Sequence, residues 1–140
     1  MKKTVLAISL FTLLFSGCAT YSKMNQMKKF EQISNNYETA IRWADFETAS
    51  YLRKSDMAAK DPMDFDCLER VKVISYELKQ IAPIEAEKIV IQIHQAVEVK
   101  YYKVDDLVQR TLTDRQVWEY DEEKESWFLM SKFPDFKCAH

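Results

Sequence analysis

The 140-residue chain contains one glycine, Gly17, and none after it. A phosphate-cradling P-loop and a dinucleotide-binding fingerprint both need glycine so that backbone can approach phosphate, and both are excluded. The G-x-S-x-G nucleophile elbow is excluded for the same reason. Histidine is scarce, with only His94 and His140, and cysteine is limited to Cys18, Cys67 and Cys138. These residues show no close ligand spacing, so no metal site and no cofactor are expected. The longest apolar stretch, Val5 to Phe15, covers eleven residues, where a membrane-spanning helix needs about 20. The formal net charge is −2 and no basic stripe interleaves with aromatics, which argues against a nucleic-acid partner.

The N-terminus is more informative. Met1-Lys2-Lys3 is a short basic start, Val5–Phe15 an apolar run, and Ser16-Gly17 a pair of small residues before Cys18. This order is that of a secretory signal. Leu14-Phe15-Ser16-Gly17-Cys18 resembles the lipobox of bacterial lipoproteins. That resemblance implies a signal peptide over residues 1–17, lipidation of the Cys18 sulfur, and a membrane partner reached through acyl chains. Each buried CH₂ contributes roughly 0.8 kcal/mol, so two or more chains hold firmly. Ala19, rather than Asp, follows the cysteine. By the same resemblance the protein is expected on the periplasmic face of the outer membrane. Loss of Lys2 and Lys3 with the signal makes the remainder more acidic, so the lipid anchor rather than surface charge is expected to hold the membrane. Export also places Cys67 and Cys138 in an oxidising compartment. An even count permits one disulfide between them, and two free thiols is the other reading.

Residues 18–26 read as a lipidated polar tether and residues 27–140 as one domain. From Met27 the apolar residues Phe30, Ile33, Tyr37, Ala40, Ile41 and Ala44 fall at helical spacing. Asp45 reads as a break or N-cap before a shorter helix through Phe46, Ala49 and Leu52. Ser55–Asp66 is a polar loop with room for one helical turn at Met57–Lys60. After Cys67 the period changes to two. Val71 and Val73 alternate, then the phase slips to Ile74, Tyr76 and Leu78, which predicts a β-bulge. Pro83 predicts a turn. In the next strand Ile89, Ile91, Ile93, Val97, Val99 and Tyr101 form one buried face, opposite Lys88, Gln92, His94, Glu98 and Lys100. A third strand from about Val108 to Tyr120 and a fourth over Ser126–Lys132 flank a charged hairpin loop, Asp121–Glu125. Helices followed by four consecutive strands predict an α+β fold, with N-terminal helices packed on a bent four-stranded antiparallel sheet, a cone-shaped roll.

That order resembles the nuclear-transport-factor-2-like superfamily, the cystatin-like roll, over roughly Met27–Phe136. Tyr37-x-x-x-Ile41-Arg42-Trp43-x-Asp45-Phe46-x-x-Ala49, with Gln116-x-Trp118-x-Tyr120 and Trp127-x-Leu129, resembles a group of uncharacterised proteobacterial lipoproteins. The resemblance implies fold and location. It assigns no chemistry, because the fold hosts isomerases, dehydratases, ligand binders and interaction modules.

The candidate chemistry is thin. His94 reads as a solvent-facing histidine rather than a general base. Asp114 is the best inward acid, with Tyr76 or Tyr101 as phenol donors. The competing reading puts it in solvent near a sheet edge. Tyr37, Trp43, Phe46, Trp118 and Trp127 read as the core joining helix to sheet, and Arg42 as a surface or ion-paired residue. The sequence therefore predicts no catalytic residues and no enzyme. It predicts a lipid-anchored binding or scaffold module of the cell envelope, with a protein partner there and an open oligomeric state. The alternatives are a small apolar ligand bound in the cone, or an isomerase or dehydratase of the ketosteroid-isomerase type.

Overall fold

Phe30, Tyr37, Ala40 and Ile41 recur at steps of three and four, and they make the buried face of one long helix. The computed structural model describes residues 16–87 and 89–138. Residues 1–15, where the signal peptide is expected, lie outside the described residues, as do Lys88, Ala139, His140 and the side chain of Cys18. Helix α1 spans Ser16–Arg42 without a break, so it runs straight through the stretch read as a tether. Gln26 at the end of that stretch is already buried. Its side-chain carbonyl accepts from the Val90 N–H at 3.2 Å, and its backbone carbonyl accepts from the Trp127 indole N–H at 2.9 Å.

The end of α1 is closed without glycine. The Asp45 N–H donates to the Ala40 carbonyl at 2.8 Å and the Ala44 N–H to that of Ile41 at 3.0 Å, with Ala44 left-handed at φ 55°. Asp45 then caps α2 (Phe46–Tyr51) by accepting from the Thr48 N–H at 3.1 Å, as its sequence position predicts. Two single turns follow, α3 (Met57–Lys60) and α4 (Phe65–Leu68).

Strands β1 (Val71–Ala86), β2 (Ile89–Lys103), β3 (Arg110–Asp121) and β4 (Ser126–Leu129) pair antiparallel in sequence order. The protein is therefore α+β, with α1 laid across one face of an open four-stranded sheet. Phe30 stands edge-on to Trp118 at 6.0 Å and to Trp127 at 5.4 Å, and Tyr37 stands edge-on to Trp118 at 5.5 Å. Ile93, Val97 and Val99 complete this layer. Such aromatic pairs contribute about 0.5–1.5 kcal/mol each beyond area burial. Past β4 the tail packs Phe136 on Phe46 and Tyr101, at 5.2 and 5.0 Å. It ends with a disulfide from Cys138 to Cys67, Cα atoms 5.6 Å apart.

Four local expectations are corrected. Pro83 lies inside β1, opposite Ile93, and the turn falls at Glu87, where φ is 49°. β1 is an edge strand, where a residue without an N–H leaves no ladder bond unmade on the outer side. Ile91 is exposed rather than buried, because the pairing jumps from Ile84↔Gln92 to Glu85↔Val90. The extra residue inverts the alternation, turning Val90 inward and Ile91 outward. Ile74 is the extra residue of a second register break, between Val73 and Ser75, and stays half-exposed while Tyr76 takes the inner side. Trp43 is not core. It is 82% exposed, since α1 ends one residue before it.

Candidate functional site

Strand β3 carries Asp114, Gln116 and Trp118 at period two on the face that α1 covers, opposite Val97, Gln95 and Ile93 of β2. All three are buried. The Gln116 amide nitrogen donates to the Asp114 carboxylate at 2.7 Å and to the Tyr76 hydroxyl at 2.8 Å, while its carbonyl accepts from the Trp118 indole at 3.0 Å. One glutamine thus links an acid, a phenol and an indole. Tyr37, fully buried on α1, lies close enough to feel the Asp114 charge, and its hydroxyl has no hydrogen-bond partner among the described residues.

Burial governs the electrostatics here. It lifts the Asp114 carboxyl to about 6, opposed only by the hydrogen bond from Gln116. Burial also raises both phenols well above their ordinary value, that of Tyr37 further by the negative charge of Asp114. At neutral pH the cluster is one carboxylate facing two neutral hydroxyls. Its chemistry is that of a carboxyl able to exchange a proton near pH 6. Gln116 bonds it, and Tyr37 and Tyr76 lie near enough to feel its charge.

The other sequence-predicted residues do not join this cluster. His94 is exposed on the far side of the sheet, its ring 3.2 Å from the Gln92 carbonyl oxygen. Tyr101 is buried against Phe136 at the tail. Arg42 pairs with Glu38 on its own helix at 3.2 Å. Asp114 is buried rather than at a solvent edge, because its side chain lies on the sheet face that α1 covers, bonded to Gln116 and close to Tyr37. Tyr37 takes its expected place in the core joining helix to sheet, and its hydroxyl adds a second phenol near the acid. The sequence signal for this cluster is the pair of polar residues Asp114 and Gln116 in phase with Trp118, and of the two candidate phenols the structure brings Tyr76 to it.

A second polar centre left no such signal. Arg53 is 6% exposed and pairs with Asp61 at 2.7 Å; its guanidinium also donates to the Asp61 and Met57 carbonyls. The same Asp61 oxygen accepts from the Phe133 N–H at 2.8 Å, so the pair clamps the loop and the tail together. Among the described residues no group of three His, Cys, Asp or Glu side chains could hold a metal ion. No protein-family model, curated protein or solved structure matches the chain.

Proposed function

We propose that the protein is a lipid-anchored binding or scaffold module of the bacterial cell envelope, held by Cys18 at the periplasmic face of the outer membrane and without chemistry of its own. The finer reading of the fold as a cone-shaped, nuclear-transport-factor-2-like roll belongs to this proposal. The observation that carries it is the filled sheet face. Where a catalytic roll would keep its cavity over the acid, Phe30, Tyr37, Gln116, Trp118 and Trp127 are buried together between α1 and the sheet, and the open apolar space lies to one side, at Met24, Leu78 and Ile81. The most buried acid, Asp114, is engaged by Gln116 and covered. The test has two arms. Fractionated membranes should yield a mature protein whose N-terminal peptide carries acyl mass on Cys18, and a chain beginning after Ala19 would sink the anchor. Crosslinking in intact cells should then capture one recurrent envelope partner, equally with wild type and with Asp114→Asn.

A second reading is favoured by one observation, the Asp114 carboxyl lifted to about 6 and joined through Gln116 to the Tyr76 phenol. Such a pairing suits proton transfer next to a carbonyl. An Asp114→Asn protein that folds normally but loses the cellular phenotype would establish this reading over the first.

A further inference from the structure

Between α1 and the outer half of β1 lies an open groove of about 640 Å³, walled by Met24, Met27, Phe30, Leu78 and Ile81. Its volume is in the range of ligand-binding clefts, roughly 300–1,000 Å³. Met24, Leu78 and Ile81 are among its large exposed apolar side chains. Its position, its charge and the edge beside it decide what covers it. Thr20 lines its mouth, so the groove opens two residues from Cys18, and α1 is continuous across that interval. Met24 lies about 9 Å along the helix axis from Cys18. An anchored chain without a flexible tether cannot hold this groove far from the bilayer.

The charge is also suited. From Ser16 to Phe30 the helix carries Lys23, Lys28 and Lys29 and no carboxylate; Glu31 follows on the groove wall, farther from Cys18. Lys23 pairs with Glu85 and Lys29 with Glu125, while Lys28, on the groove wall, makes no ion pair among the described residues. A helix with lysines beside an apolar face is the pattern of interfacial attachment to anionic lipid. Among the described residues no helix is long and apolar enough to cross a membrane, which leaves contact at the surface. Addition of a strand from a second copy is opposed by the edge itself. β1 carries Lys79 and Pro83, and its register breaks at Ile74 and Lys79.

We propose that the bilayer holding Cys18 fills this groove, with Met24, Met27, Leu78 and Ile81 in contact with lipid acyl chains and Lys28 among the headgroups. The inference rests on lipidation at Cys18 and adds a fixed orientation to it. The rest of the module would then stand on the membrane in one pose, with Trp43 at the other end of α1.

The test uses the mature acylated chain in bicelles of phosphatidylethanolamine and phosphatidylglycerol. Methionine methyl groups are observed by NMR, with a nitroxide carried on the lipid acyl chain. The Met24 and Met27 signals should be attenuated, and that of Met57, buried beside Arg53, should keep its intensity. The double variant Leu78→Glu, Ile81→Glu should remain acylated, keep the wild-type thermal midpoint and show several-fold weaker attenuation. Should it fail to fold, the wild-type signals decide alone. Intact mass separates the two ways of failing. Acylated Cys18 with unattenuated Met24 and Met27 overturns the groove contact and leaves the anchor standing, while absence of acyl mass overturns both. Wild-type attenuation in a folded double variant also overturns the contact. So does a Met24 signal that shifts with protein concentration without lipid, which assigns the groove to a second copy.

Discussion

Asp114 and Gln116, neighbours on one face of β3, share a 2.7 Å hydrogen bond in which the amide donates to the carboxylate. That bond is too little to offset the desolvation of the acid, and its carboxyl is lifted from 3.8 to about 6. The folded chain thus binds a proton between roughly pH 4 and 6 that the unfolded chain releases. Folding stability from this group therefore rises as pH falls through 6, and is lost above it. A shift of this size corresponds to about 3 kcal/mol. Asp114→Asn keeps the acceptor and removes the charge. It should be more stable than wild type at pH 8, with the advantage shrinking towards pH 4. Urea titrations of both proteins at the two pH values measure the difference, and a pH-independent gap contradicts it.

The Arg53–Asp61 pair tests the opposite situation, a buried charge held by an opposite one. The Arg53 side chain is 3% exposed. Asp61→Ala should cost about 3–5 kcal/mol, because it strands a guanidinium in the interior and frees the Phe133 N–H. The exposed Lys60–Asp56 pair offers the control, and Asp56→Ala should cost under about 1 kcal/mol. Equal losses for the two variants would show that the Arg53 clamp contributes nothing special.

The helical stripe, the Asp45 cap, the strand order and the bulge in β1 were legible because each follows from local spacing or a single side chain. What failed were phases that depend on partners. Ile91 looks inward from β2 alone, and only the register jump against Glu85 turns it out. Pro83 reads as a turn unless its strand is known to be an edge. Trp43 is placed by where the glycine-free cap stops α1. The Arg53–Asp61 clamp depends on a loop closing on a tail far along the chain. Asp114 was legible as a candidate but not as buried, since its burial depends on the helix laid over that face of the sheet.

Ile93 and Ile91 differ by one bulged residue, and their substitutions should differ accordingly. Ile93 is fully buried, so Ile93→Ala should cost about 2–5 kcal/mol. Ile91 is exposed, and Ile91→Ala should stay within about 1 kcal/mol. Thermal midpoints of the two variants measure this, and a larger loss at Ile91 would mean that the register between β1 and β2 is wrong.

Without glycine after Gly17, every left-handed position in the domain is held by a side chain that disfavours it. Ala44, Glu87, Leu107, Glu125 and Lys137 all have positive φ. Leu107 is the cleanest case, being 71% exposed with little packing to lose. The left-handed conformation costs a non-glycine residue about 1–2 kcal/mol, and glycine gives part of this back as unfolded-chain entropy. Leu107→Gly should therefore stabilise the protein by about 0.5–1 kcal/mol in chemical denaturation. A loss of stability would show that the backbone there is not strained.

Cys138 ends the segment whose Phe136 ring seals Tyr101 and Phe46. Its bond to Cys67 closes a loop of sequence separation 71, and chain entropy makes such a closure worth about 4 kcal/mol. Two contributions are therefore separable. Cys138→Ser removes the crosslink but leaves the aromatic contacts, so the tail should fray without the sheet melting. Phe136→Ala keeps the crosslink but opens a cavity beside Tyr101, at a cost of about 3–5 kcal/mol. Hydrogen exchange distinguishes them. In Cys138→Ser, protection should fall furthest at the Phe136 N–H, which donates to the Pro134 carbonyl at 3.0 Å, while β2 and β3 stay folded but lose protection together by the loop-closure term of about 4 kcal/mol. Sheet protection unchanged from wild type would instead mean that loop closure contributes nothing to the folded domain.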